Sequence, residues 1–198
     1  GDGGTADIGL QALSGAVERG DRFIYICYDN EAYMNTGMQR SGLTPYGSTT
    51  TNTPYGSESF GEKRFKKDMF KIMVAHNISY AATASVSYPN DLIRKIEKAK
   101  NVDGPSYLHV YSPCPTGWGF DSKLSIEIGK IAVQTGLWYL AEYENGKVKM
   151  NLVPKALKPV KDYVIKQKRF RHLSEENIST IEKYRDEEWQ RINENWVK

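Results

Sequence analysis

The sequence predicts an α/β fold: a mostly parallel β-sheet with helices on both faces, followed by a C-terminal hairpin and a helical extension. Three observations carry the prediction. Apolar runs of strand length alternate with helical periodicities between residues 5 and 134, and strands joined by helices imply crossovers and a parallel sheet covered on both sides. The run Phe23-Ile24-Tyr25-Ile26-Cys27-Tyr28 is apolar on both faces, the pattern of a buried parallel strand. Asn145-Gly146 falls between two alternating runs, which signals a hairpin.

Taken in order, Gly1-Asp2-Gly3-Gly4 reads as a turn. Ile8, Leu10, Leu13, Ala16 and Val17 then recur at helical spacing, giving a helix over about 5–19 closed by Gly20. The strand over 23–28 ends at Asp29-Asn30. Residues 31–62 are rich in Gly, Thr, Ser, Asn and Tyr and show no period; loops this long in compact domains are usually functional. Helices are expected over about 66–76, 89–100 and 123–134, with strands over 80–84 and 105–111 between them. The hairpin spans 137–143 and 148–153. Pro154 and Pro159 then punctuate the chain, and Ser174 caps a last helix from Ile178 to about Trp196. Residues 1–154 form one α/β domain in this reading. Residues 155–198 form an extension with little domain left to pack on, suited to wrapping a neighbouring subunit.

Composition narrows the function. The chain of 198 residues is 39% hydrophobic and 26% charged, which is that of a globular protein with a real core. Its longest apolar run, six residues, is far short of the ~20 needed to cross a bilayer, and no charged-then-apolar leader opens the chain. The reading is a cytoplasmic protein without membrane contact. Of the net charge of +3, all comes from residues 155–198, where 11 basic residues meet 8 acidic ones. That tail reads as a solvated helix, and no concentrated basic face supports nucleic-acid binding. Two cysteines, Cys27 and Cys114, make no disulfide framework and suit a reducing compartment.

The opening turn carries the chemistry. Gly1-Asp2-Gly3-Gly4 runs straight into a helix and so presents unobstructed backbone N–H groups at the positive end of a helix dipole, a place for a diphosphate. A diphosphate usually brings a divalent cation, for which a carboxylate, an amide oxygen and a backbone carbonyl are suitable hard ligands. Asp2 supplies the first. Twenty-six residues separate Gly3 from Asn30, room for a helix, a turn and the next strand, which would bring Asp2 and Asn30 together at the carboxyl edge of the sheet. A phosphate-binding turn normally follows a strand, and none precedes Gly1, so the sequence reads as the C-terminal part of a longer polypeptide.

Gly1-Asp2-Gly3 followed by Asn30 resembles the thiamine-diphosphate motif. The resemblance implies that Asp2, Asn30 and the carbonyl of Ala32 hold magnesium. The wider stretches 1–9 (GDGGTADIG), 28–39 (YDNEAYMNTGMQ) and 112–115 (SPCP) are similar to the β subunit of pyruvate:ferredoxin oxidoreductase, within the 2-oxoacid:ferredoxin oxidoreductases, and the likeness runs to about Trp196. It implies the thiamine-diphosphate-binding fold, Asn35 beside the reactive carbon of cofactor and substrate, and Gly3, Gly4 and Thr36 near the diphosphate. It also implies oxidative decarboxylation of pyruvate to acetyl-CoA, with coenzyme A as co-substrate, electrons passing through 4Fe-4S clusters to ferredoxin, and further subunits of the α, γ and δ types as partners.

Cys114 is where residues and resemblance diverge. A single Cys between two prolines, with no C-x-x-C partner, reads as an inert thiol. The family likeness makes it the last of four ligands to a 4Fe-4S cluster whose other three lie upstream of the thiamine motif, outside this chain. Cys27, within an apolar strand, reads as core, and His76, His109 and His172 as structural. Met34 and Met38 flank the site as substrate-pocket lining or as ordinary packing. Residues 49–56 resemble a family loop running from the cofactor. Two alternatives stay open: the same chemistry on another 2-oxoacid (oxalate, 2-oxoisovalerate, 2-oxoglutarate or indolepyruvate), and a non-catalytic assembly subunit.

Overall fold

The computed structural model describes residues 1–197 and opens on a helical turn. Gly4–Ile8 winds as a π-helix and α1 follows as Leu10–Glu18. The single helix expected over 5–19 is thus divided at Gly9, whose N–H reaches back to Gly4 O at 2.8 Å. The remaining elements are β1 (Ile24–Asp29), α2 (Met69–Ala75), β2 (Tyr80–Ser85), α3 (Pro89–Asn101), β3 (Ser106–Tyr111), α4 (Pro115–Trp118), α5 (Ser125–Gln134), β4 (Leu140–Glu144), β5 (Lys147–Leu152), α6 (Lys161–Val164) and α7 (Glu175–Trp196). Local chemistry explains the boundaries. Pro89 occupies the first turn of α3, with Asp91 near its start and Lys98 and Lys100 at its end, each matching the helix dipole. Ser174 and Asn177 form a reciprocal capping box on α7. Asn145 and Gly146 both take positive φ between β4 and β5, as a two-residue hairpin turn demands.

The five strands lie in the order β1-β3-β2-β4-β5. β1 and β2 run parallel to β3, and β4 and β5 continue antiparallel, so the mostly parallel sheet expected from sequence is present with the hairpin added to one side. The registers place Asp29 and Ser85 both opposite Tyr111. All three parallel strands therefore end at one level, and the segments that follow β1 and β3 emerge side by side. One face packs on α1 and α2 through Cys27, Tyr107, Leu13, Phe70 and Met73; the other packs on α3 through Ala82, Leu108, Val110 and Ala99.

Two expectations are corrected. β1, read as buried on both faces, lies at the edge of the sheet that the described residues form, with Ile26 and Tyr28 53% and 51% exposed. Its alternate residues line one face of the sheet, and α3 covers β2 and β3 but not the edge. The segment after Pro154 does have this domain to pack on. Tyr163, Phe170, Ile178 and Ile181 join the cluster built on Ile128 and Trp138. Arg169 and Arg185, read as part of a solvated basic tail, are buried. Arg185 caps carbonyls of Thr135 and Lys158 at 2.6 and 3.1 Å, and Trp189 Nε1 donates to Gly136 O at 2.7 Å. No helix among the described residues is long and apolar enough to cross a membrane.

Candidate functional site

The start of the chain, the end of β1 and the long loop meet at one place. Asp2 is buried, and its Oδ2 accepts from Ser41 Oγ at 2.5 Å. Its Oδ1 lies 2.9 Å from a terminal atom of the Asn30 amide, and that same atom lies 2.9 Å from the Ala32 carbonyl oxygen. With the amide oxygen in this position, three oxygens converge with no donor among them. With the nitrogen there, it donates to both neighbours. Which atom occupies the position is a matter of assignment, and a cation favours the first arrangement, the amide bond the second. The donor set of one carboxylate, one amide and one main-chain carbonyl fits Mg²⁺, which takes few protein oxygens and keeps places for phosphate and water.

The turn is exposed at Gly1 and Gly4 and buried at Asp2 and Gly3. The first intrachain helical bond runs from Thr5 N to Gly1 O at 3.0 Å, so the N–H groups of Gly3 and Gly4 precede the first bonded turn. Gly4 is exposed and a Cβ there meets nothing within 4 Å. Gly3 is different: a Cβ there falls 2.2 Å from the Tyr33 ring, so only glycine permits the ring to lie across the helix start. Tyr33 Oη in turn donates to Asp7 Oδ2 at 3.3 Å. Asn35 and Thr36 stand exposed on the turn between Tyr33 and Gln39, whose backbones pair at 2.9 and 3.0 Å. Thr36 Oγ1 donates to the Gln39 side chain.

Beside this turn, Met34, Met38, Thr49, Thr51, Cys114 and Gly117 border an open cleft of about 460 Å³. Cys114 caps α4 and its Sγ accepts from Gly117 N at 3.4 Å. Cys27 lies buried in β1, and no cluster of three or more Cys, His, Asp or Glu side chains among the described residues is placed to hold a metal. Any cluster at Cys114 therefore draws its other thiolates from elsewhere. His76 bonds Ser14 and Ile72 O, and His172 bonds Phe60 O.

A buried charge network under the site was not legible in the sequence. Lys66 Nζ donates to Asp29 Oδ2 at 3.0 Å and to Glu31 Oε1 at 2.9 Å. Arg169 Nη2 reaches Glu31 Oε2 at 2.5 Å, and His109 Nε2 lies 2.9 Å from Asp29 Oδ2. Burial disfavours the charge on Asp29 and on Lys66, but the pairing outweighs it: Lys66 and His109 hold Asp29 well below the usual carboxylate range, and Asp29 and Glu31 raise Lys66. Contacts with Cys27 and Asp29 likewise raise His109 to about 9 against the effect of burial. Asp2 has no such counter-ion in contact. Burial and the neighbouring Asp29 push it up to about 7, with Ser41 pulling the other way, the setting a cation relieves. Only adjacency to Asn30 marked Asp29 and Glu31 in the sequence; nothing marked Lys66 or Arg169, which lie 35 and 138 positions from Glu31.

Comparison with known proteins bears on the family and the fold. Residues 1–110 match the family model described as "Thiamine pyrophosphate enzyme, C-terminal TPP binding domain". The chain is 60% identical over 94% of its length to pyruvate synthase subunit PorB of Methanothermobacter thermautotrophicus, of which the match covers 65%. It is 55% identical over 97% of its length to ketoisovalerate oxidoreductase subunit VorB of Pyrococcus furiosus, covering 62% of it. The chain thus spans a little under two thirds of the length of these relatives. Among solved structures, the 2-oxoglutarate:ferredoxin oxidoreductase of Magnetococcus marinus, with 2-oxoglutarate, coenzyme A and succinyl-CoA bound, superposes with a TM-score of 0.54 at 26% identity, over 58% of this chain and 38% of that one. With its Gly-Asp-Gly turn, its α/β sheet and this match over more than half its residues, the chain belongs to the thiamine pyrophosphate enzymes, through their C-terminal TPP-binding domain.

Proposed function

We propose that the chain is the thiamine-diphosphate- and Mg-binding part of the β subunit of a 2-oxoacid:ferredoxin oxidoreductase, working in the cytoplasm on pyruvate with coenzyme A and ferredoxin. The observation that carries this is the convergence of the Asp2 carboxylate, the Asn30 amide and the Ala32 carbonyl at one point beside the start of a helix. When bound, the cofactor supplies the nucleophilic carbon and the electron sink for decarboxylation. The residues of this chain supply position and electrostatics. Asp2, Asn30 and Ala32 hold the magnesium. The N–H groups of Gly3 and Gly4, with Thr36, receive the diphosphate. Asn35, exposed on the turn between Met34 and Met38, donates a hydrogen bond to the oxygen on which charge develops, an interaction that strengthens in the transition state.

Cys114 borders the cleft beside Met34 and Met38, and we assign it as one of four thiolate ligands of a 4Fe-4S cluster, since such clusters take four. The other three belong to protein outside residues 1–198. Within residues 155–197, α6 and α7 pack on residues 1–154 while leaving a charged outer face, suited to contact with partner subunits. The high identity to a ketoisovalerate oxidoreductase subunit favours 2-oxoisovalerate as the second substrate reading. The test is anaerobic purification of the native complex, assay of thiamine diphosphate, iron and sulfide, and a panel of 2-oxoacids with ferredoxin reduction as readout. Thiamine diphosphate, cluster iron and pyruvate turnover are expected. Absence of the thiamine cofactor overturns the proposal, iron-free complex overturns the role of Cys114, and preference for 2-oxoisovalerate selects the second reading.

A further inference from the structure

We propose that Glu31 is a positioning residue for the metal-ligand turn, held in a left-handed backbone conformation by a clamp that Lys66 and Arg169 close on its carboxylate. The inference rests on the reading of Asp2, Asn30 and Ala32 as magnesium ligands. Glu31 stands between two of them and has φ of +65°, a conformation that disfavours a residue with a Cβ by a factor of about ten. The left-handed residue turns the chain so that the Asn30 side chain and the Ala32 carbonyl, one from each side of it, aim at the same point near Asp2.

Each polar group of Glu31 is held. Its N–H donates to Asp29 Oδ1 at 2.9 Å and its carbonyl accepts from Thr44 Oγ1 at 2.7 Å. Its Oε1 accepts from Lys66 at 2.9 Å and its Oε2 from Arg169 at 2.5 Å. The preceding carbonyl, of Asn30, accepts from Trp118 Nε1 at 2.8 Å, and the Arg169 guanidinium lies 3.8 Å from the centre of that same indole. Arg169 is anchored in turn by Gln167 and Tyr163 at 2.9 and 3.0 Å. Ala32 O lies 2.9 Å from the Asn30 amide. The network thus fixes the backbone and carboxylate groups of Glu31 and the carbonyl before it, while none of its bonds is made to the Ala32 carbonyl. Buried ion pairs are often no more stabilising than apolar packing, so fold stability alone gives this clamp weak cause; orienting ligands is the role that outer-shell groups commonly serve.

The test uses the full-length protein assembled with its partner subunits and stripped of cofactor and metal. Mn²⁺ is titrated at saturating thiamine diphosphate, with free Mn²⁺ read by electron paramagnetic resonance, and the thermal midpoint of the stripped protein is taken alongside. Glu31→Ala is expected to weaken Mn²⁺ binding about 100-fold and Arg169→Met about 10- to 100-fold. Glu31→Gly, which takes positive φ without penalty, is expected to recover about tenfold of the Glu31→Ala loss. If Arg169→Met does not assemble, Arg169→Lys keeps the charge and loses the planar fork, and an intermediate loss is expected. Mn²⁺ affinity within about twofold of wild type in the Glu31→Ala and arginine variants overturns the proposal, as does equal loss in Glu31→Ala and Glu31→Gly. Wild-type protein that binds thiamine diphosphate without Mn²⁺ overturns the metal assignment itself, a separate outcome.

Discussion

Asp2 and Asn30 meet with 2.9 Å between Asp2 Oδ1 and the Asn30 amide, one at the start of the first helix and the other one residue beyond the end of β1. That pairing sets a carboxylate and an amide at one point, the arrangement on which the proposed magnesium site rests.

Asn30 and Asn35 lie five positions apart and are expected to fail differently. Asn30→Ala removes a proposed magnesium ligand and should weaken Mg-dependent retention of thiamine diphosphate by about 100-fold or more, above the loss typical of supporting residues. Asn35→Ala leaves the donor set intact and should retain the cofactor while losing turnover. Calorimetry at fixed Mg²⁺ checks the pair. Equal cofactor binding by Asn30→Ala and wild type would sink the ligand assignment.

Gly3→Ala places a Cβ 2.2 Å from the Tyr33 ring. The ring must leave the helix start, at a cost of about 1–3 kcal/mol. Thermal denaturation should show the loss, and Gly3→Ala combined with Tyr33→Ala should recover most of it. No recovery in the double variant would mean that the strain lies in the backbone and not at the ring.

Lys66→Met is expected to destabilise by about 3–5 kcal/mol, because it strips the shared cation from the buried Asp29 and Glu31 carboxylates. Urea denaturation measures it. His109 and Arg169 each retain one of the two carboxylates, so a loss at the lower end of that range is the natural outcome, and no loss would show that they suffice.

Glu142 ties the hairpin to α3 and β2. Burial raises its carboxyl, but donation from Lys98, Asn151 and Tyr80 outweighs this and lowers it to about 2 from 4.5. A carboxyl depressed in the folded state stabilises it fully above its unfolded value and loses that contribution as pH falls from about 4.5 toward about 2. With Lys98 half open to solvent, the contribution is roughly 2 kcal/mol. Glu142→Gln should be less stable than wild type at pH 7 and converge with it near pH 2. Parallel stability curves across that range would rule out the ion pair as the cause.

The sequence by itself determined what depends on neighbours along the chain. Pro89 starts α3, Ser174 with Asn177 caps α7, and Asn145-Gly146 closes the hairpin because each acts through dihedral preference or a bond spanning three residues. The spacing likewise pointed to Asp2 and Asn30, since one helix, one turn and one strand bring the chain back to its start, and the motif resemblance added Ala32. Tertiary structure alone decided the rest. The pattern of β1 does not say which strand lies beside it, and only the tertiary structure sets β3 there, ahead of β2. A lysine or arginine in a polar stretch reads as solvated, because the free energy of burying it is repaid only by partners remote in sequence. Lys66 and Arg169 find those partners at Asp29 and Glu31, and no periodicity or spacing encodes a bond made across 138 positions.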